Sequence, residues 1–249
     1  MTVAKYLACA LTWALANVAH AQPLIPPTAI DWLLDCTLNT TESLDPAVLE
    51  RTQCGVVAVP RDYAAPHQGT LDLYLTRVGA RQPLSREGLV FAQAGETPDT
   101  KTDGTFAIQL ANRWRAYGSQ AYRTLLNHYD LIELSPRDLT EEREVDNAAR
   151  DMEFVRTQLG DNQLHFVGNA DATRVGSRYA ALFPERMVRM VLVDGEPADT
   201  AAVHVDQLRL RDGSQPGARG CISKWVGDFL AYGKQPPPTA RCLDVAEQD

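Results

Sequence analysis

The stretch LHFVGNADATRVGSRYAALFPERMVRMVLVDG, from Leu164 to Gly195, constrains the fold more than any other part of the chain. A short apolar run ends in Gly168-Asn169-Ala170-Asp171-Ala172, a helical pattern follows to Phe183, and a second apolar run begins at Met187. Two apolar runs of strand length joined by one helix make a βαβ unit. Its strands run parallel inside a sheet covered on both faces. The turn between strand and helix places small residues two before and two after Ala170, namely Gly168 and Ala172, so strand and helix can pass closely there.

The rest of the chain extends this pattern. CGVVAVPRDY (Cys54–Tyr63) is a valine-rich strand that stops at Pro60, and Gly69 marks a turn. Leu71, Leu73 and Leu75 then alternate with Asp72, Tyr74 and Thr76, which is the period of a half-buried strand, so the two runs predict an antiparallel hairpin. Gly88–Gly95 is a continuous apolar run, as expected of a strand buried on both faces, and Tyr129–Asp138 is read as the next buried strand. Helices are expected around Asp45 to Arg51, as one long element from Phe106 to Asn127, and from Asp171 to Phe183. Another carries Val145, Ala148, Ala149, Met152, Val155 and Leu159 at helical spacing and exits at Gly160. The fold class is therefore α/β, a mostly parallel sheet of about six strands with helices on both faces. Beyond it, Asp212–Gly220 is expected as a turn-rich linker, with a short amphipathic helix starting at Cys221 and an extended return to Cys242. No internal repeat is present.

The first 21 residues are read as a leader rather than as fold. Lys5 precedes an apolar run from Tyr6 to Val18, and Ala19-His20-Ala21 supplies a small-residue cleavage signal. The expected parts are a signal peptide over 1–21, a lead-in over 22–53, a core over 54–199 and a tail over 200–249. The expected location is secreted or periplasmic. Of five cysteines, Cys9 lies in the leader, leaving Cys36, Cys54, Cys221 and Cys242. An even count in an exported chain favours disulfides. Three pairings are possible, and the local ones, Cys36–Cys54 and Cys221–Cys242, are simplest, each worth roughly 3 kcal/mol. No C-x-x-C or H-x-x-x-H spacing suggests zinc, and no cofactor motif occurs. A net charge of −8 without a long basic tract argues against a nucleic-acid partner. No segment of the mature chain is apolar enough for a membrane span.

The strand–turn–helix at Ala170 is the frame of a nucleophile elbow, in which a serine projects above the sheet. Here the central position is alanine, and a methyl group has no proton to lose. Ser177 lies inside the following helix, where a hydroxyl packs or bonds to the backbone. Asp171 at the helix start is expected to cap N–H groups. Ser135 and Asp138 sit at the carboxyl end of a strand, where sites gather, with Asp138 expected as a turn residue paired to Arg137. His67, His128 and His165 are scattered, His165 at the far end of the elbow strand. His204 follows the last strand and is a candidate to approach the crevice. Asn39-Thr40-Thr41 is a glycosylation sequon, relevant only in a glycosylating cell.

CGVVAVPRDY, ARDMEFVRTQLG and GNADATRVGSRYAALFPERMVRMVLVDG together resemble exported α/β-hydrolases of the tripeptidyl and prolyl aminopeptidase group, from about Trp32 to Asp199. The resemblance implies a G-x-S-x-G elbow in which Gly168 keeps its role and Ala170 replaces the nucleophile. It also implies an oxyanion loop resembling G-G-P-G, which here reads FAQAGETPD, keeping Gly95 and Pro98 but placing Glu96 between them. A carboxylate there would oppose an oxyanion. The family's D-P-R-G becomes Ser135-Pro136-Arg137-Asp138. In the family, the acid and base follow a cap and lie on the last two strands. The resemblance implies that this chain stops within the early cap, without those strands, and that Cys221–Cys242 encloses a disulfide-closed remnant of it.

The expectation is an exported hydrolase relative that is catalytically inactive and uses its crevice to hold a peptide-like or small ester-like ligand. The alternative is a weakly active aminopeptidase or esterase with a relocated nucleophile, or one in which Asp138, Asp171 or His204 activates water. Without further strands, Met187–Asp194 would be an open apolar edge. The expected cover is either the tail after Asp199 or a second copy, which would make a homodimer through this strand.

Overall fold

The computed structural model describes residues 30–38, 43–95, 105–195, 205–210 and 218–236, with side chains from 223 onward in the last of these. The leader, the sequon at Asn39, Glu96, His204 and Cys242 lie outside the described residues, as does the Cys221 side chain.

The strands are β1 (Asp31–Trp32), β2 (Thr52–Pro60), β3 (Thr70–Val78), β4 (Gly88–Gln93), β5 (Tyr129–Leu134), β6 (Leu164–Asn169), β7 (Met187–Val193) and β8 (Asp206–Leu210). The helices are α1 (Pro46–Leu49), α2 (Phe106–Tyr117), α3 (Gln120–His128), α4 (Glu142–Gln158), α5 (Ala172–Leu182) and α6 (Ala218–Tyr232). They form one eight-stranded sheet in the order β1-β2-β3-β5-β4-β6-β7-β8. The hairpin β2–β3 is antiparallel, as its alternation predicts, and β5, β4, β6, β7 and β8 are mutually parallel.

Two strands exceed the expected six. β1 is only two residues long, too short to leave a period in sequence, and pairs beside Gly55 and Val56. β8 comes from the tail and lies parallel to β7, with Val191 opposite Leu208 and Val193 opposite Leu210. β7 is therefore an interior strand bonded on both sides, and its edge is not free to pair with a second copy. Cys36 is disulfide-bonded to Cys54, which ties the segment after β1 to β2.

The expected single helix from Phe106 to Asn127 is two. Gly118 adopts a left-handed conformation at φ 65° and closes α2, and Ser119 then starts α3 by accepting from the Tyr122 N–H at 3.2 Å. The apolar period runs through this break and hides it. α6 begins at Ala218, inside the stretch expected to be linker.

The sheet separates two cores. Val90, Val167, Val191 and Leu208 face α2, α3 and α6, where Trp114, Leu125 and Phe229 are buried. Leu89, Phe91, Phe166 and Met190 face α4 and α5, where Met152, Val155 and Tyr179 are buried. Adjacent β-residues such as Phe166 and Val167 thus serve opposite cores, which is why β4 and β6 read as unbroken apolar runs. β5 and β6 flank β4 on opposite sides, so the strand order reverses there. In such sheets the crevice beyond the carboxyl ends opens at that reversal.

Candidate functional site

At the carboxyl end of β6 the chain turns sharply into α5. Ala170, at the centre of the turn, has φ +46°, a conformation that costs a non-glycine residue about 1–2 kcal/mol. The turn is held from several sides. Ala170 N–H donates to Val193 O at 3.0 Å, while the Thr173 N–H and hydroxyl both donate to Ala170 O, at 3.1 and 2.6 Å. This is the strained strand-to-helix elbow that the small-residue spacing predicts, with a methyl group where the elbow presents a reacting side chain.

The loop after β4 presses against this turn. Gln93 lies opposite Gly168 in the sheet, so the chain leaving β4 runs alongside the elbow. A Cβ at Gly95 would lie 2.5 Å from Asn169 O and 2.6 Å from Asp171 N, so only glycine fits. The Gly95 N–H donates to Asn169 O at 3.1 Å and to Asn169 Oδ1 at 2.9 Å. The residue before Ala170 thus takes up the Gly95 N–H of this loop.

The small-residue rule has a second member the sequence analysis missed. A Cβ at Gly168 would come within 2.7 Å of the Phe166 ring, and one at Gly176 within 2.5 Å of the same ring. Phe166 fills the gap between β6 and α5, and Gly176 on α5 makes room for it. Ala172 is buried at the same crossing. The signal was present, since Gly176 falls one turn after Ala172 on the same helix face.

Above the turn, a cleft is lined by Ala94, Gly95, Pro136, Asp138, Leu139, Thr140, Asp171 and Arg174. A smaller recess beside it is lined by the apolar Leu73, Leu134, Leu139, Ala148, Ala172 and Val175 and by the polar Gln93, Ser135, Arg137 and Asp151. Asp171 does not cap α5 as expected: its side chain makes no capping bond, because its backbone is already helical at φ −63° and ψ −27°. N-cap geometry requires an extended residue, and the elbow puts Ala170 in the left-handed region instead. Ser177 donates to Thr173 O at 2.9 Å, a backbone-bonding role as expected. Ser135 accepts from the Tyr74 N–H at 3.0 Å.

Asp138 is a turn residue, accepting from the Thr140 N–H at 3.1 Å, but it is not the partner of Arg137. Arg137 turns inward. It donates to Asp151 Oδ2 at 2.5 Å and Oδ1 at 3.0 Å, and to the carbonyls of Arg61 and Pro60, each at 2.8 Å. Tyr63 also donates to Asp151 at 3.0 Å. Asp151 and Glu144 hold the Arg137 guanidinium above its ordinary pKa against the cost of burial. Burial pushes the Asp151 carboxyl up, opposed by that guanidinium and by the Tyr63 hydroxyl. The pair anchors the floor of the cleft to the end of β2 and to α4, while Arg174 on the rim donates to Leu139 O at 2.8 Å.

Of the described histidines, none lines the cleft. His165 is buried at the opposite end of β6, packed edge-on against Tyr129, and its pKa is lowered to about 4 by burial and then by Arg189. His128 bonds through Nδ1 to Ser85 O at 2.9 Å. Among the described residues no group of three His, Cys, Asp or Glu is placed to hold a metal ion, and no helix is long and apolar enough to cross a membrane.

Serine protease Hip1 of Mycobacterium tuberculosis is 39% identical over 69 residues, which cover 28% of this chain and 13% of that protein. Tripeptidyl aminopeptidase of Streptomyces lividans is 25% identical over 187 residues, covering 56% of this chain and 34% of that protein. The chain therefore spans about a third or less of the length of these curated relatives. Among solved structures, juvenile hormone epoxide hydrolase from the silkworm Bombyx mori aligns at 15% identity with a TM-score of 0.40, covering 58% of this chain and 36% of that one. A family model described as alpha/beta hydrolase fold matches residues 95–220, half of the 249-residue chain, and by that match the chain belongs to the α/β-hydrolase fold family.

Proposed function

We propose that this chain is an exported, non-catalytic member of its family that uses the cleft above the elbow to hold a peptide-like or small ester-like ligand. The carrying observation is Ala170 at φ +46° in an otherwise intact elbow. The strained turn that presents a nucleophile is kept, and the side chain it presents has nothing to transfer. Of the nearby hydroxyls, Ser177 and Thr173 donate to backbone carbonyls and Ser135 accepts from the Tyr74 N–H. No described histidine lines the cleft to serve as base. The peptide-like ligand class rests on the relatives, whose names are those of a serine protease and a tripeptidyl aminopeptidase. Export rests on the leader-like first 21 residues.

A fluorophosphonate probe tests the loss of chemistry. The protein is expected to remain unlabelled, and aminoacyl and short-chain ester substrates to turn over no faster than in buffer. Labelling of the wild-type chain at any serine overturns the reading. Ala170→Ser is expected to fold and stay inactive, so turnover by that single variant would show that a working base is within reach. Binding is read by titrating tripeptides against the wild type and Thr140→Trp, an exposed lining residue whose enlargement should block the cleft. Export is checked by the mass of the protein recovered outside the cytoplasm, expected to start at Gln22.

A further inference from the structure

A second concavity lies on the face of α2 and α3 and shares no lining residue with the elbow cleft. Its floor is apolar, formed by the buried Trp114 and Leu126, and its rim carries Arg81, Arg115 and Arg123 with one carboxylate, Asp45. Three elements converge to make it. Arg81 follows β3 in a turn whose backbone is fixed to α3, since the Arg81 N–H donates to Leu126 O at 2.9 Å. Arg115 is in the last turn of α2, and Arg123 is in α3 just beyond the Gly118 break. The break that splits the expected long helix is what brings Arg115 and Arg123 to one hollow.

The charges here are not balanced. Asp45 at the start of α1 pairs with Arg115. Arg123 spends its donors on neutral groups, Gly118 O and, at 3.1 Å, Gln120 Oε1. Arg51, just behind, donates to Ala47 O at 2.9 Å and to Gly79 O, again neutral acceptors. No described carboxylate pairs with Arg51, Arg81 or Arg123. Burial first, and then repulsion from Arg81 and Arg115, holds the Arg51 guanidinium below its ordinary pKa. In a chain of net charge −8, three guanidinium groups and a single carboxylate, Asp45, line this one hollow.

We infer that the hollow between the Arg81 turn, α2 and α3 is an anion site that takes a phosphate or diphosphate group, with Arg81 and Arg123 as its principal ligands. Guanidinium forks match the geometry of phosphate oxygens in two-point contacts, and Arg81 has its fork available for such a contact. The apolar floor of Trp114 and Leu126 gives an organic substituent on that phosphate a surface to lie on.

Calorimetric titration of the full chain with pyrophosphate tests this. The expected result is saturable one-to-one binding that weakens as NaCl rises from about 50 mM to about 500 mM. Arg81→Ala and Arg123→Ala are each expected to weaken it by roughly tenfold or more, since Arg81→Ala removes a charge-assisted two-point contact and Arg123→Ala a neighbouring positive charge. Arg209→Ala, exposed on β8, should leave it unchanged, and circular dichroism confirms that each variant is folded. Should Arg81→Ala fail to fold, Arg123→Ala carries the test alone. Co-sedimentation with phosphatidylglycerol vesicles separates the two sources of such a group. Binding to pyrophosphate alone assigns a soluble ligand, and binding to both assigns a lipid headgroup. Absence of saturable pyrophosphate binding, or binding that survives in the Arg81→Ala/Arg123→Ala double variant, overturns the inference. Tripeptide binding at the elbow cleft is independent of either result.

Discussion

Arg137 and Asp151 face each other in a two-point contact, 2.5 and 3.0 Å long, with both side chains 2% exposed. One comes from the loop after β5 and the other from the middle of α4, and the same guanidinium reaches back to the carbonyls that end β2. This single contact fixes the floor of the cleft to three elements.

Breaking it from one side should be severe. Asp151→Asn or Arg137→Ala leaves a buried charge without its partner, and each is expected to lower stability by about 3–5 kcal/mol in urea unfolding. Replacing both by apolar residues of similar volume, Arg137→Met with Asp151→Leu, should cost much less than the sum. A double variant as unstable as the two singles added together would mean the groups act separately.

Ala170 carries backbone strain that glycine would not. Ala170→Gly is expected to be neutral or to raise stability by up to about 1 kcal/mol, since the relief of a left-handed conformation opposes glycine's greater chain entropy. Ala172→Gly, two residues on and inside the first turn of α5, should instead lower stability by about 1 kcal/mol. Thermal unfolding of the two variants side by side reads the sign.

The crossing of β6 and α5 depends on Phe166 lying where Gly176 has no side chain. Gly176→Ala is expected to cost about 1–3 kcal/mol through overpacking, although alanine is the better helix former. Adding Phe166→Leu should recover part of that loss. A Gly176→Ala variant as stable as the parent would show that the helix slides without cost.

Two buried ionisable groups give stability opposite slopes in pH. His165 is held down to about 4, so its neutral form is favoured in the fold, and the stability tied to it is present above about 6.5 and lost as pH falls toward 4. Its magnitude is on the order of 3 kcal/mol. Glu133 is pushed up to about 7 by burial, against the Ala107 and Phe106 N–H groups that it caps at the start of α2. Its contribution is full below about 4.5 and is lost as pH rises through about 7. His165→Phe should flatten the acid side of a melting-temperature profile, and Glu133→Gln the side above pH 5. Profiles of both variants that parallel the parent's would show that neither group titrates as its burial implies.

Much of the fold was legible in the sequence because it is written in local periods. The βαβ unit from Leu164, the β2–β3 hairpin, the buried runs of β4 and β5 and the period of α4 all follow from which face each residue must bury. Gly168, Ala170 and Ala172 located the elbow before any coordinate did. The break at Gly118 was missed because the apolar stripe continues across it, and two adjacent helices with one buried face share the period of one long helix.

What the sequence determined by itself is therefore the six strands β2 to β7 with α4 and α5 in their order, and the absence of a hydroxyl at the elbow. Each depends on residues within a turn or two of one another. Only the tertiary structure decided that β8 closes the side of β7, that Arg137 chooses Asp151 over the adjacent Asp138, and that Gly95 lies against the elbow. It alone brought Arg81, Arg115 and Arg123 around one hollow. These are contacts between separate elements, and whether they form depends on the order in which strands enter the sheet, which no local period records.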